Sequence, residues 1–324
     1  MNNTPLVSII IPVYNLERYI GNTIQTVIDQ SIKDFEVIVI DDGSNDNSLS
    51  IINSIRERDS RIKVYHQKNH GQANARNNGV CNALGKFITF VDGDDLLKKN
   101  YIKTMLEPML RDSDLDMVAL PHQDASIRDI PNLDVSSKKE KSVNLESDDY
   151  LIMALKYNNN LYNVSYASKM YRSAIFKDFK IPEGHYYEDL AGLPNLLKKI
   201  HKVLWVNDKQ YMYLNDRPLS TVNLINKRKA VDIIWALEYL ERILKSSSND
   251  VKRAFQIAIV NNIYVAYVPL KGVPSSLKRI DALINKVSIS FVLYTSLHVH
   301  VSKKGLLFLI GRKIMNLFKR GHRH

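Results

Sequence analysis

Cysteine is almost absent: Cys81 stands alone in 324 residues. No internal disulfide can form, and a reducing, cytoplasmic setting is expected. No uninterrupted apolar run approaches the roughly 20 residues of a membrane-spanning helix, so integral insertion by that route is not expected. Met1 leads into polar residues and then a strand, without the basic-then-apolar order of a leader, and no signal peptide is expected. The phosphate-binding patterns G-x-x-x-x-G-K-[ST] and G-x-G-x-x-G are both missing, which counts against a P-loop enzyme and a dinucleotide dehydrogenase. Acidic residues are missing from Ala282 to His324, whereas Lys286, Lys303, Lys304, Arg312, Lys313, Lys319, Arg320 and Arg323 are basic. Much of the formal charge of +11 is thus a property of the tail. The rest of the chain shows no interleaved basic and aromatic pattern, so nucleic acid is not an expected partner.

What is present is an ordinary globular composition, 45% hydrophobic and 24% charged, in a chain long enough for a large core. Val7 to Ile11, Val37 to Ile40, Ile62 to Tyr65 and Phe87 to Val91 are compact apolar runs of strand character. Between them Ile20, Ile24, Val27 and Ile28, then Leu49, Ile52 and Ile55, recur at helical spacing, with Asp46 or Asn47 available as a cap. Alternating strand and helix predicts an α/β fold, a Rossmann-like, mostly parallel sheet flanked by helices.

Three of these strands run into polar clusters: PVYN, DDGS and DGDD. In parallel sheets ligands bind outside the carboxyl ends of strands. The convergence of Asp41, Asp92 and Asp94 on one edge is harder to explain as helix capping than any one of them alone. The segment His66 to Gly79 reads as a polar loop in which Arg76 can set a planar guanidinium against phosphate or a base edge; a plain surface loop is the alternative.

Farther on, Pro121 to Ser147, broken by Pro131, reads as a connection or flexible insertion. Asp148 opens a helix through Tyr157. Tyrosines gather around Lys169 between Tyr162 and Tyr171, as walls of a sugar site or as core. Glu188 suits a helix start, and Asp189 can instead project toward a substrate as a base. Two strands are expected at Val203 to Val206 and Gln210 to Leu214. The pattern is helical from Lys227 on. In the tail, Leu306, Leu307, Ile310, Ile314, Leu317 and Phe318 share one helical face opposite basic residues. Such a helix suits an anionic membrane surface, or docking on the domain.

Taken together, VSIIIPVYN, VIVIDDGSNDNS, the Gly71…ARNNG segment, FVDGDD and YYEDL resemble family 2 of the inverting glycosyltransferases, of GT-A fold and bacterial polysaccharide or glycoconjugate type. The resemblance runs over Val7 to Leu190. It implies a GT-A catalytic domain at 1–225, with a nucleotide-sugar half at 1–120 and an acceptor half at 121–225. A helical region follows at 226–324, ending in the basic amphipathic tail 303–324. By match to the motifs, Pro12 and Tyr14 line the nucleoside pocket, Asp41 accepts a hydrogen bond from the base, suiting the N3–H of uracil in a UDP-sugar, and Asp42 is a further nucleotide-sugar-binding residue. Arg76 lies near base and diphosphate. Asp92 and Asp94 are the DxD pair, contacting ribose and a Mn2+ or Mg2+ ion, and Asp189 matches the catalytic base. Arg217 and Ser220 fall where the family closes over the diphosphate. A tryptophan frequent near Ser165 to Tyr171 is replaced here by Tyr166 and Ala167, so acceptor details do not transfer. With no Q-x-x-R-W signature and no spanning helix pair, a processive synthase is not expected. The implied partners are a nucleotide-sugar donor, a saccharide or lipid-linked glycan acceptor and, through the tail, the inner face of the cytoplasmic membrane, as in capsule synthesis. The competing reading is a non-catalytic nucleotide-sugar-binding regulatory module of the same fold.

Overall fold

The structure is a computed structural model that describes residues 4–126, 141–157, 161–215, 226–288, 290–291 and 301–321, with side chains to 315 in the last segment. The chain forms two compact units, one of Met1–Ser147, Ser165–Gly184 and Leu196–Arg217, the other of Asp148–Val164, His185–Asn195 and Pro218–His324.

In the first unit, strands β1 (Val7–Val13), β2 (Phe35–Asp41), β3 (Ile62–His66) and β4 (Phe87–Phe90) alternate with helices α1 (Ile20–Ile28), α2 (Ser48–Arg56) and α3 (Gln72–Cys81). There follow β5 (Leu96–Leu97), α4 (Tyr101–Arg111), β6 (Met117–Ala119), β7 (His122–Ala125), β8 (Ser142–Glu146), β9 (Lys169–Arg172), β10 (Lys202–Val206) and β11 (Tyr211–Leu214). Among the described residues the main sheet has the order β3-β2-β1-β4-β9-β6-β10-β8, and β5-β11-β7 make a small second sheet. Every residue of β1 and β2 is buried, because both faces of the sheet are covered. Ile9 and Ile11 join Ile20 and Ile24 of α1 and Met105 of α4 in the core. On the opposite face α3 comes so close that a Cβ on Gly79 would stand 2.3 Å from Ile10 Cγ2, a contact only glycine permits.

Strands β1, β2, β3 and β4 are mutually parallel, with Val13 opposite Asp41 and Asp41 opposite His66. Their carboxyl ends therefore share one edge, as the sequence predicts. One expectation needs correction, and one open alternative is decided. Pro121 to Ser147 is not merely a connection: its ends supply β7 and β8, which pair with β11 and β10. The tyrosine-rich run supplies β9, lodged antiparallel between β4 and β6. Tyr166 and Tyr171 are fully buried there, and their rings edge onto Phe90, so these two tyrosines are core.

The second unit is helical: α5 (Ser147–Tyr157), α6 (Glu188–Leu197), α7 (Lys227–Ile243), α8 (Asn249–Leu270), α9 (Pro274–Asn285) and α10 (Lys303–Gly321). Side-chain oxygens of Asn226 and Ser248 cap α7 and α8, each such cap contributing about 1 kcal/mol. Helix α10 docks on α8 and α9. Leu309 is fully buried, Phe308 lies 4.4 Å from the Tyr267 ring, and Arg312 grips both carboxylate oxygens of Asp281 at 2.7 and 3.0 Å. Lys286 pairs with Glu241, and Lys313 reaches the Val287 carbonyl. Part of the tail's basic charge is thus used inside the unit, while Lys303, Lys304, Leu307, Ile314 and Met315 remain exposed. No helix among the described residues is long and apolar enough to cross a membrane.

Candidate active site

The apolar strand β4 carries the chain to the sheet edge, and Val91 leads into Asp92, Gly93, Asp94 and Asp95. Gly93 is required by close approach: a Cβ there would lie 2.9 Å from Leu16 Cδ1 and 3.0 Å from the Pro12 carbonyl oxygen. The acid turn is thereby pressed against the end of β1. Asp94 and Asp95 are buried, whereas the Asp92 side chain retains 23% exposure. Asp92 Oδ1 accepts hydrogen bonds from Arg76 Nη2 at 2.8 Å and Gln72 Nε2 at 2.9 Å, which fixes the carboxylate.

Asp95 has a different task. Tyr211 on β11 donates to Asp95 Oδ2 at 2.6 Å, the Leu214 N–H donates to Oδ1 at 3.0 Å, and the Asp92 N–H donates to the Tyr211 oxygen at 3.2 Å. This tyrosine therefore ties the turn to the small sheet. Burial, then the charges of Asp94 and Asp92, push the Asp95 carboxyl well above the usual carboxylate range. Burial with the charges of Asp95 and Asp92 likewise raises the Tyr211 phenol. Both groups are raised first by burial, and the neighbouring carboxylates add to the shift.

At the end of β1, Pro12 is buried in the strand and Tyr14 is exposed. The next residues are bound to the loop after β2 and the start of α2: Asn15 N–H to Ser44 Oγ, Leu16 N–H to Ser48 Oγ and Glu17 N–H to Asp46 Oδ2. Asp46 also accepts the Ser48 N–H, so it serves the start of α2, where Asn47 makes no side-chain cap bond. Asp42 accepts from Gln67 Nε2 and from the His70 and Gly71 N–H groups at 2.8 to 2.9 Å, and thereby shapes the approach to α3. Asp41 is fully buried. One of its oxygens holds His66 Nδ1 at 2.7 Å, and the other has no hydrogen-bond partner among the described residues, an expense a bound donor would offset.

Arg76 lies on helix α3, not on a loop, which corrects the sequence reading. The helix escaped detection because its buried surface is polar. Asn77 donates to Glu183 and to the Ile181 carbonyl and accepts the Ile181 N–H, and Asn74 donates to the other Glu183 oxygen. Glu183, Asn74, Asn77 and Gln72 are site-building residues that the sequence alone did not single out. The repeated asparagines beside Arg76 were the available signal.

Asp189 belongs to the second unit, in the first turn of α6, and its Oδ1 accepts the Leu190 N–H at 2.7 Å. Glu188 opens the same helix. Tyr187, just ahead, has φ of 62°, an unusual backbone for a bulky residue. Burial, then the charges of Asp189 and Asp232, push its phenol up to about 12. Arg217 and Ser220 lie outside the described residues.

Among the described residues no group of three or more histidine, cysteine or acidic side chains is arranged to hold a metal by itself. The residues nevertheless fit a divalent cation shared with a ligand. Asp92 and Asp94 are hard oxygen donors in one turn, and a cation of this kind is commonly held by one or two carboxylates plus substrate phosphates.

Residues 8–179, more than half of the chain, match the profile of glycosyl transferase family 2. The chain is 26% identical over 270 residues to glycosyltransferase GlyG of Streptococcus pneumoniae, covering 80% of this chain and 85% of that one. It is 43% identical over 103 residues to the uncharacterised glycosyltransferase EpsJ of Bacillus subtilis, covering 32% and 30%. Its fold is similar to that of S. aureus TarS 1-349 in complex with UDP-GlcNAc, with TM-score 0.66, 19% identity and coverage of 98% and 92%. It is also similar to the mannosyltransferase PcManGT of Pyrobaculum calidifontis in complex with GDP-Man and Mn2+, with TM-score 0.58, 14% identity and coverage of 98% and 88%. The sheet with its edge of strand-end acids is that of a GT-A fold, and the chain belongs to glycosyl transferase family 2.

Proposed function

We propose that this protein transfers a sugar from a UDP-sugar to a hydroxyl of a saccharide or lipid-linked glycan, with inversion and one sugar at a time, in cell-surface polysaccharide synthesis. The observation that carries this reading is the cluster of three acids, Asp92, Asp94 and Asp95, at the end of β4, with Asp92 fixed by Arg76. The unengaged Asp41 oxygen supplies an acceptor for the uracil N3–H, and TarS, a protein of similar fold, is described with UDP-GlcNAc.

In this reading Pro12, Tyr14, Asp41 and Asp42 form the nucleoside end of the site, Asp42 by holding the loop before α3. Asp92 and Asp94 would hold Mn2+ or Mg2+, with Asp94 the direct ligand; bound there, the ion stabilises the charge that develops on the departing diphosphate. Arg76 keeps Asp92 oriented and adds positive charge behind it. Asp189 takes the proton of the acceptor hydroxyl as that oxygen attacks the anomeric carbon from the side opposite the leaving group. Arg217 and Ser220 close the diphosphate end. A panel of nucleotide sugars, each incubated with the protein and Mn2+, tests the reading. Release of UDP by slow hydrolysis of at least one UDP-sugar is expected, and no release from any donor counts against it.

The exposed Lys303, Lys304, Leu307, Ile314 and Met315 of α10 support peripheral attachment to the inner face of the cytoplasmic membrane. Each basic side chain near an anionic surface contributes about 1 kcal/mol. Full-length protein is expected to co-sediment with phosphatidylglycerol-containing vesicles more than protein carrying Lys303→Glu and Lys304→Glu. Equal pelleting of the two removes the tail from this role.

A further inference from the structure

Within the second unit, the residues just before Asp189 are clamped to helix α7 with unusual completeness. Asp232 is buried on that helix and uses both carboxylate oxygens: Oδ1 holds His185 Nδ1 at 2.9 Å, and Oδ2 accepts the Tyr186 N–H at 3.1 Å. One helical turn on, Trp235 stacks on the His185 ring, with centroids 3.8 Å apart and planes 13° from parallel. Tyr186 is faced by two cations from the start of the same helix, Arg228 at 5.5 Å and Lys229 at 5.4 Å from its ring centroid. The next residue, Tyr187, is held at positive φ, and its phenol feels the charges of both Asp189 and Asp232. A bulky residue persists in that backbone region only where its surroundings over-determine it. Here the surroundings are the pair of bonds to Asp232 and the stacked ring of Trp235.

We infer that Asp232, acting through His185 and the Tyr186 backbone, is a positioning residue that fixes the Tyr186–Tyr187 turn and thereby aims the Asp189 carboxylate. The inference rests on Asp189 serving as the base. Asp232 touches no substrate in this account. It sets where the first turn of α6 begins, and a base displaced by about 1 Å loses on the order of 100-fold in rate. A clamp that merely supported the fold would change stability without separating kcat from donor affinity.

The test is a double-mutant cycle on hydrolysis of whichever UDP-sugar the panel shows to be turned over fastest, with Mn2+, alongside titration of UDP. Asp232→Ala is expected to lower kcat about 10- to 100-fold, leaving the donor KM and UDP affinity within about twofold. Asp232→Asn keeps one carbonyl oxygen for one of the two bonds, and should recover part of that loss. In protein already carrying Asp189→Asn, Asp232→Ala should lower the residual rate no further, because the two changes act through one group. Unchanged kcat in folded Asp232→Ala, or a full multiplicative loss on top of Asp189→Asn, overturns the inference. If Asp232→Ala does not fold, Asp232→Asn and His185→Gln carry the same cycle with the same criteria. Near-normal turnover by Asp189→Asn would instead overturn the base assignment, an outcome distinct from failure of the clamp alone.

Discussion

Asp189→Asn and Asp189→Ala are expected to abolish sugar transfer, with turnover falling about 100- to 10,000-fold, while UDP binds almost as it does to the unchanged protein. An acceptor hydroxyl is barely acidic in water and must lose its proton as it attacks. A carboxylate within hydrogen-bond reach supplies the base, and an amide of the same shape cannot accept the proton. Asp189 lies in the first turn of α6 and is not among the groups assigned to the nucleotide, so its replacement removes none of them. Steady-state turnover with parallel titration of UDP is the measurement. Turnover near that of the unchanged protein in either variant would remove Asp189 from this role.

Asp94→Ala should produce the opposite pattern. The acid turn brings three carboxyl groups together at the end of β4, where burial and then the charges of Asp94 and Asp92 raise the Asp95 carboxyl, and a divalent cation shared with the diphosphate would offset that crowding. Loss of one carboxylate ligand removes several kcal/mol of this stabilisation, on the order of 100-fold or more in Mn2+-dependent donor affinity. Chelation of the metal should bring the unchanged protein down to the same level and leave the variant unaffected. Donor titration with and without Mn2+ reads both effects, and an undiminished response to Mn2+ in Asp94→Ala would end the assignment.

The parts of the structure legible in the sequence were those governed by short-range periodicity. β1, β2 and β4 announced themselves as apolar runs that stop at polar clusters, and their parallel direction followed from the helices between them, whereas the register that sets Val13 opposite Asp41 did not. Helix α3 was not legible, because it buries Arg76, Asn77 and Gly79 where an amphipathic pattern needs aliphatic side chains. Its partner is the polar segment at Ile181–Glu183, about a hundred residues on, and no local pattern shows that pairing. Strand β9 was hidden for a related reason. Lys169 is fully buried within it, its ammonium spent on the Ser165 and Ala167 carbonyls, so a charged residue stood where a core strand should be apolar. The acid turn was legible as a cluster. The division of labour within it was not, since Asp95 is distinguished from its neighbours by Tyr211, 116 residues away. His185 and Asp232 were equally silent, because each alone reads as an ordinary polar residue at the edge of a helix.

The measurement that tests the account most directly compares three proteins, unchanged, Asp94→Ala and Asp189→Asn, in one assay of UDP-sugar turnover and UDP affinity with Mn2+ present. Turnover is expected to be lost in both variants, with UDP affinity lost only in Asp94→Ala and retained in Asp189→Asn. Affinity lost in Asp189→Asn and kept in Asp94→Ala, or turnover surviving in either, would contradict it.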